Sequence, residues 1–291
     1  MNYTTHIPRF SSSANGAAFL RSRDGQPLAM EAVRHAAPSI FAEDKHSSRS
    51  SRYSYIPTSE ILENLLKQDW QIFAAFQGGS RVEGKREFTK HLVRLRHRSQ
   101  SSIVKGDSFN EVILMNSHDG TSSYRMMGGR FRLVCSNGLV VSESQIADVR
   151  VRHSGDPTAE VIDGCISIME QMPELDAAVE EMQSLQLTNG EQELFARLAL
   201  QARYGEDGVA PVTPQQVLRP RRTGDASNDL WTVFNRTQEN IMRGGLRYTQ
   251  ADERGVIPRR QTREVRGIDA NTNTNRLLWA LAEGMADLKG R

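Results

Sequence analysis

Ser117, His118 and Asp119 stand side by side in "MNSHDGT" and together carry the functional groups of a hydrolytic triad. Triad geometry needs side chains that converge from separate segments, and neighbours on an extended chain point to opposite faces. Asn116, Ser117 and Asp119 are also common turn residues, and the chain holds no GxSxG elbow. A turn is therefore expected here rather than a catalytic centre.

Other chemistries find less support. The glycine pairs in "GGSRVEG" and "MMGGRF" lack the lysine and the strand-to-helix setting of a phosphate-cradling loop. Cys135 and Cys165 lie 30 residues apart with no partner cysteine near either, so both are read as small buried hydrophobes. A metal nuclease needs converging carboxylates, but the ten Asp and Glu between Asp156 and Glu193 follow a helical pattern without a single Lys or Arg. That segment is read as an exposed helical face. No metal or cofactor is expected.

The cations are organised differently. Net charge is only +2, yet Arg81 to Lys105 holds eight Lys and Arg against Glu83 and Glu87, and Arg243 to Arg266 holds seven Arg against three acids. In "HLVRLRHRS", Arg94, Arg96 and Arg98 alternate with Val93 and Leu95. Arg125, Arg130 and Arg132 lie in the runs "SYRMM" and "RFRLVC", and Arg150 and Arg152 in "DVRVRH". Period-two reading sets each opposite the more apolar face of its own strand. If these strands share one antiparallel sheet, eight guanidinium groups crowd its solvent face, and their repulsion asks for acids or a bound anion. A phosphate backbone meets that demand, because the planar guanidinium donates two hydrogen bonds and stays charged. Arg81, Lys85, Arg86 and Lys90 would steer the ligand. The alternative is that the stems cover the sheet while Glu111, Glu143 and Asp148 pair the charges. Aromatic stacking support is slight: Tyr124 is expected to point inward with Met126.

The elements that must position these residues follow from periodicity. Ile61, Leu62, Leu65 and Leu66 form a helical stripe that Thr58 or Ser59 can cap. "WQIFAAFQGG" and "EVILM" read as strands, and the dipeptides at Asp119 and Asn137 as tight turns of a meander. Helices are expected over 157–187 with a break at Pro173, over "QELFARLALQARYG" to Gly205, over "LWTVFNRTQENIMRGGL", and at the C-terminus around Leu278, Leu281 and Met285. Residues 248–275 show only turn and charge signals. With 38% hydrophobic residues, no apolar run of membrane-spanning length and no secretory segment at the start, a cytoplasmic globular protein is expected.

The stretch "MNSHDGTSSYRMMGGRFRLVCSNGLVV" and the later "NRLLWALAE" resemble the phage/plasmid-like family known as domain of unknown function 932. The resemblance runs from about Tyr55 to Gly205 and again over 275–283. It implies a phage or other mobile-element setting and supplies no catalytic residues. In layout alone the helix, strand and meander order is similar to RecT/Redβ-type single-strand annealing proteins.

The expected architecture is an α+β fold. An N-terminal arm over 1–54 precedes a core domain over 55–205, whose antiparallel sheet of five or six strands is packed on its apolar face by the 157–187 helices. A helical region with loops covers 206–291. The expected function is non-catalytic binding of nucleic acid, single-stranded DNA in recombination or replication of a mobile element, by a homo-oligomer. The rival is a protein-interaction module, such as a phage inhibitor of a host defence complex, that uses the acidic 156–193 surface.

Overall fold

The computed structural model describes residues 9–12, 16–22, 25–44, 57–100, 108–132, 138–140, 149–151, 157–205, 209–249 and 258–290. In chain order the strands are β1 (Arg9–Ser12), β2 (Ala18–Arg21), β3 (Trp70–Gln77), β4 (His91–His97), β5 (Ser108–Asn116), β6 (Tyr124–Arg132), β7 (Gly138–Val140), β8 (Val149–Val151), β9 (Arg247–Thr249) and β10 (Arg259–Gln261). The helices are α1 (Met30–Ala36), α2 (Thr58–Lys67), α3 (Pro157–Glu170), α4 (Met172–Ser184), α5 (Asn189–Tyr204), α6 (Pro214–Leu218), α7 (Leu230–Arg243) and α8 (Ile268–Lys289). The α+β class read from the sequence is the one observed. The chain forms two compact units: Met1–Ser136 with Glu143–Met172, and Asn137–Ser142 with Pro173–Arg291.

In the first unit an antiparallel sheet runs β1-β2-β3-β4-β5-β6, and β8 also pairs with β6. The sheet is larger than the expected five or six strands because the presumed arm contributes two. β2 pairs with β3, and Leu20, Val33 and Ile40 are buried, so residues 16–44 belong to the core. Their pattern was too short and too interrupted to show a period.

The register fixes which side chains share a face, since directly paired residues of an antiparallel sheet point the same way. Gln77, His91 and Asn116 form one such row across β3 to β5. α2 and α3 cover this face. Thr58 at the start of α2 reaches His91 and Asn116, and a side chain on Gly164 of α3 would collide with Met126 and Val149. Ile61, Leu62 and Leu65 of α2 are fully buried, as the helical stripe requires. Thr58 is not the cap, however. Pro57 takes that position, and the Thr58 hydroxyl turns into the core.

In the second unit α7 contacts α5, α6 and α8. Trp231, Phe234 and Trp279 pack edge-on or stacked with centroids 5.6–6.4 Å apart, which gives this helical unit its aromatic centre. Thr188 and Glu191 close a capping box on α5, and Lys289 near the end of α8 bonds Glu191 at 2.7 Å. Gly205 and Gly244 end α5 and α7 as the sequence indicated. The segment with only turn and charge signals holds the β9–β10 ribbon except Arg247, and the first turns of α8.

Candidate nucleic-acid interface

The sheet arginines do not share one face. Arg130 pairs with Asn110 while Arg125 pairs with Met115, and the five-residue separation along an unbroken β6 sends them to opposite sides. Arg130 lies on the helix-packed face, 3% exposed, and donates to Ser108 Oγ at 3.0 Å and Asn110 Oδ1 at 3.1 Å. Arg132 ends the same strand, and its side chain lies outside the described residues, as do Arg152, Cys135 and Asn137.

Arg94 and Arg96 lie on the other face, but they are only 5% and 4% exposed. The expectation of an open guanidinium face fails at its centre. Glu111 sits between them, itself 1% exposed, and accepts from Arg94 through Oε2 and from Arg96 through Oε1 at 2.5–2.6 Å. The Arg94 guanidinium also stacks 3.4 Å from the Phe131 ring, and that of Arg96 lies 3.8 Å from both Phe73 and Phe109. A bulge between Ile72 and Ala74 in β3 brings Phe73 to this site. Burial alone would raise the Glu111 carboxyl, yet the two arginines outweigh it and hold it below the usual carboxylate range. The cluster is an internal brace. Pairing of the charges by Glu111 is thus the arrangement realised at Arg94 and Arg96.

The more exposed cations lie at the margins. Arg150 is exposed and pairs in register with half-buried Arg125. Arg98, just past β4, is exposed and meets Asp69 at 3.5 Å. Arg81 and Arg86 are exposed, Lys85 and Lys90 half-buried, and Lys85 binds Asp119 at 3.3 Å. One row on the arginine-bearing face runs from Phe19 and Phe76 through buried Leu92 and Met115 to Arg125 and Arg150. Phe19 and Phe76 are half-buried, with ring centroids 4.3 Å apart. The sequence reading missed this phenylalanine pair because Phe19 stands in the segment taken for an arm.

Ser117 and Asp119 behave as turn residues. Ser117 Oγ accepts from the Ser122 amide at 2.8 Å, and Asp119 Oδ1 accepts from the Thr121 amide at 3.0 Å and hydroxyl at 2.6 Å. His118 departs from that reading. Its backbone N–H donates to Phe88 O, and its ring is fully buried 5.0 Å from the His91 ring. Thr58 Oγ1 joins the two, 2.9 Å from His91 Nε2 and 3.4 Å from His118 Nε2, and accepts from Asn116 Nδ2 at 3.0 Å. Tyr124 Oη lies 3.4 Å from the same hydroxyl. Burial, then the neighbouring His118, push His91 down to about 3, so it is neutral near pH 7. This enclosed cluster holds the start of α2 against the sheet. Cys165 is buried as expected, and burial pushes its thiol up to about 12. Glu160, Asp163 and Glu170 of α3 are exposed, as are Glu174, Glu180 and Glu181 of α4.

These features define an α+β protein whose sheet carries an arginine pair bridged by one buried glutamate and an aromatic-to-arginine row. The chain belongs to the family described as "Domain of unknown function (DUF932)", which it matches over residues 45–279. It is similar to two proteins of Escherichia coli K12. UPF0380 protein YafZ is 46% identical over 274 residues, 94% of this chain and 97% of the relative. UPF0380 protein YfjQ is 46% identical over 272 residues, 94% of this chain and 96% of the relative. No solved structure matches the chain. Among the described residues no helix is long and apolar enough to cross a membrane.

Proposed function

We propose that this chain is a non-catalytic nucleic-acid-binding protein of a mobile element that holds single-stranded DNA against the arginine-bearing face of its first unit. The observation that carries the reading is the row from Phe19 and Phe76 to Arg125 and Arg150. Five strand-to-strand steps make it about 24 Å long. One end offers half-exposed rings on which unpaired bases can stack, and the other offers guanidinium groups for phosphates. Arg94 and Arg96 take no part in phosphate binding in this reading. They stiffen the sheet between the two ends.

Fluorescence anisotropy with a labelled single-stranded oligonucleotide over a salt series tests it. Replacing Arg125 and Arg150 by Gln should lower the slope of log affinity against log salt by about 1.4, or 0.7 per lost contact. Phe76→Ala should weaken binding roughly tenfold through lost stacking. Wild-type affinity and slope in both variants would refute the reading. A protein-interaction role is the second reading, favoured by the exposed acids of α3 and α4, which contain no Lys or Arg. It expects charge reversal at Glu170, Glu174, Glu180 and Glu181, and not at the arginines, to abolish function.

A further inference from the structure

The second unit carries a feature of a different kind. β9 and β10 form a two-stranded antiparallel ribbon in which Arg247 pairs with Gln261, Tyr248 with Arg260 and Thr249 with Arg259. One side therefore presents Arg247, Thr249, Arg259 and Gln261, and the other presents Tyr248 and Arg260. Every residue of the ribbon is exposed except half-buried Tyr248, and neither strand contains an acid. Arg263 follows, also exposed.

The base of the ribbon is firmly mounted. Gly244 and Gly245, both at positive φ, turn the chain out of α7, and a side chain on Gly244 would meet the Arg263 and Thr262 backbone at 2.6 Å. Gly245 N–H donates to Thr262 O at 2.8 Å, and Thr262 N–H donates to Leu246 O at 2.9 Å. Val265 N–H donates to Met242 O at 2.8 Å, and Gln216 Nε2 donates to Arg247 O at 2.8 Å. The cations thus stand on a stiff support tied to α6 and α7, so little ordering cost opposes their use.

Arginines on both sides decide what such a ribbon fits. A flat acidic protein surface would engage one side and leave Arg260, or else Arg247 and Arg259, facing solvent. A groove with a phosphate chain along each wall engages both. The major groove of B-form DNA is about 12 Å wide and admits a two-stranded β-ribbon, with arginine suited to both phosphates and guanine edges. We propose that the β9–β10 ribbon enters the major groove of duplex DNA, a second contact distinct from the single-strand site on the sheet and independent of that reading.

The test measures binding of the full chain to a labelled duplex and to the matching single strand over a salt series, for wild type and for the Arg247→Gln, Arg259→Gln, Arg260→Gln variant. All three positions are exposed, and thermal unfolding checks that the fold is kept. Duplex affinity should fall at least about tenfold and the duplex salt slope should shrink by about 2.7, or 0.9 per lost phosphate contact, with the single-strand slope unchanged. The Arg125→Gln, Arg150→Gln variant should show the reverse, so each site can fail without the other. A wild-type chain that does not bind duplex, a ribbon variant with the wild-type duplex slope, or equal losses on duplex and single strand would each overturn the ribbon assignment.

Discussion

Glu111→Gln removes one negative charge and leaves two arginines, 5% and 4% exposed, without an anion. Breaking a single buried pair by deleting one partner costs about 3–5 kcal/mol, because the remaining charge stays desolvated. Glu111 serves two partners, so the cost should lie near the upper end, about 5 kcal/mol. For a unit of this size each kcal/mol shifts the midpoint by about 2–4 °C, which gives a drop of about 10–20 °C. Arg96→Met should cost less, about 1–3 kcal/mol. It gives up the stacking on Phe73 and Phe109 but leaves Arg94 and Glu111 as a formally neutral pair. Thermal unfolding by circular dichroism supplies the midpoints, and hydrogen exchange of the β4 and β5 amides locates the loss in the first unit. If Glu111→Gln melts with wild type, or Arg96→Met costs more than Glu111→Gln, the brace is not electrostatic. The same logic reverses an expectation that follows from an open arginine face, where removing Arg94 and Arg96 would relieve repulsion and cost no stability.

The buried histidines predict an acid-sensitive first unit. His91 titrates near 3 when folded and near 6.5 when unfolded. Its contribution is therefore complete above about pH 6.5 and is lost as pH falls below that value, by about 2 kcal/mol at pH 5. His91→Gln should flatten stability between pH 7 and 5 in urea titrations, and an unchanged slope would show that His91 is not the titrating group. Gly244→Ala should destabilise the second unit and speed hydrogen exchange at Gly245 and Thr262, since both φ and the Arg263 backbone oppose a side chain there. Gly284→Ala, in open space on α8, should instead stabilise by about 0.5–1 kcal/mol, and the opposite order of midpoints would refute both glycine readings.

By itself the sequence determined the elements whose signals are local. Period two in "HLVRLRH", the helical stripe of α2, the break before Pro173 and the glycines that stop α5 and α7 all depend on residues a few places apart, and each appears where expected. Ser117 and Asp119 were legible as turn residues for the same reason. Pairing decided the rest. Alternation told which residues of one strand share a side, but not that β6 runs unbroken through Gly128 and Gly129, which sends Arg125 and Arg130 to opposite sides, nor how strands align, so only the register could join Arg125 to Phe76 and Phe19 in one row. The same register set Glu111 against two arginines from another strand, which turned an apparent solvent face into a buried brace. β2, β9 and β10 are three or four residues long, too short for any period to emerge. They exist because a neighbouring strand completes their hydrogen bonds, and that neighbour lies tens of residues away for β2 and about ten for the ribbon. His118 was misread on the same ground, because a turn residue and a core residue look alike until Thr58 and His91 arrive from elsewhere in the chain.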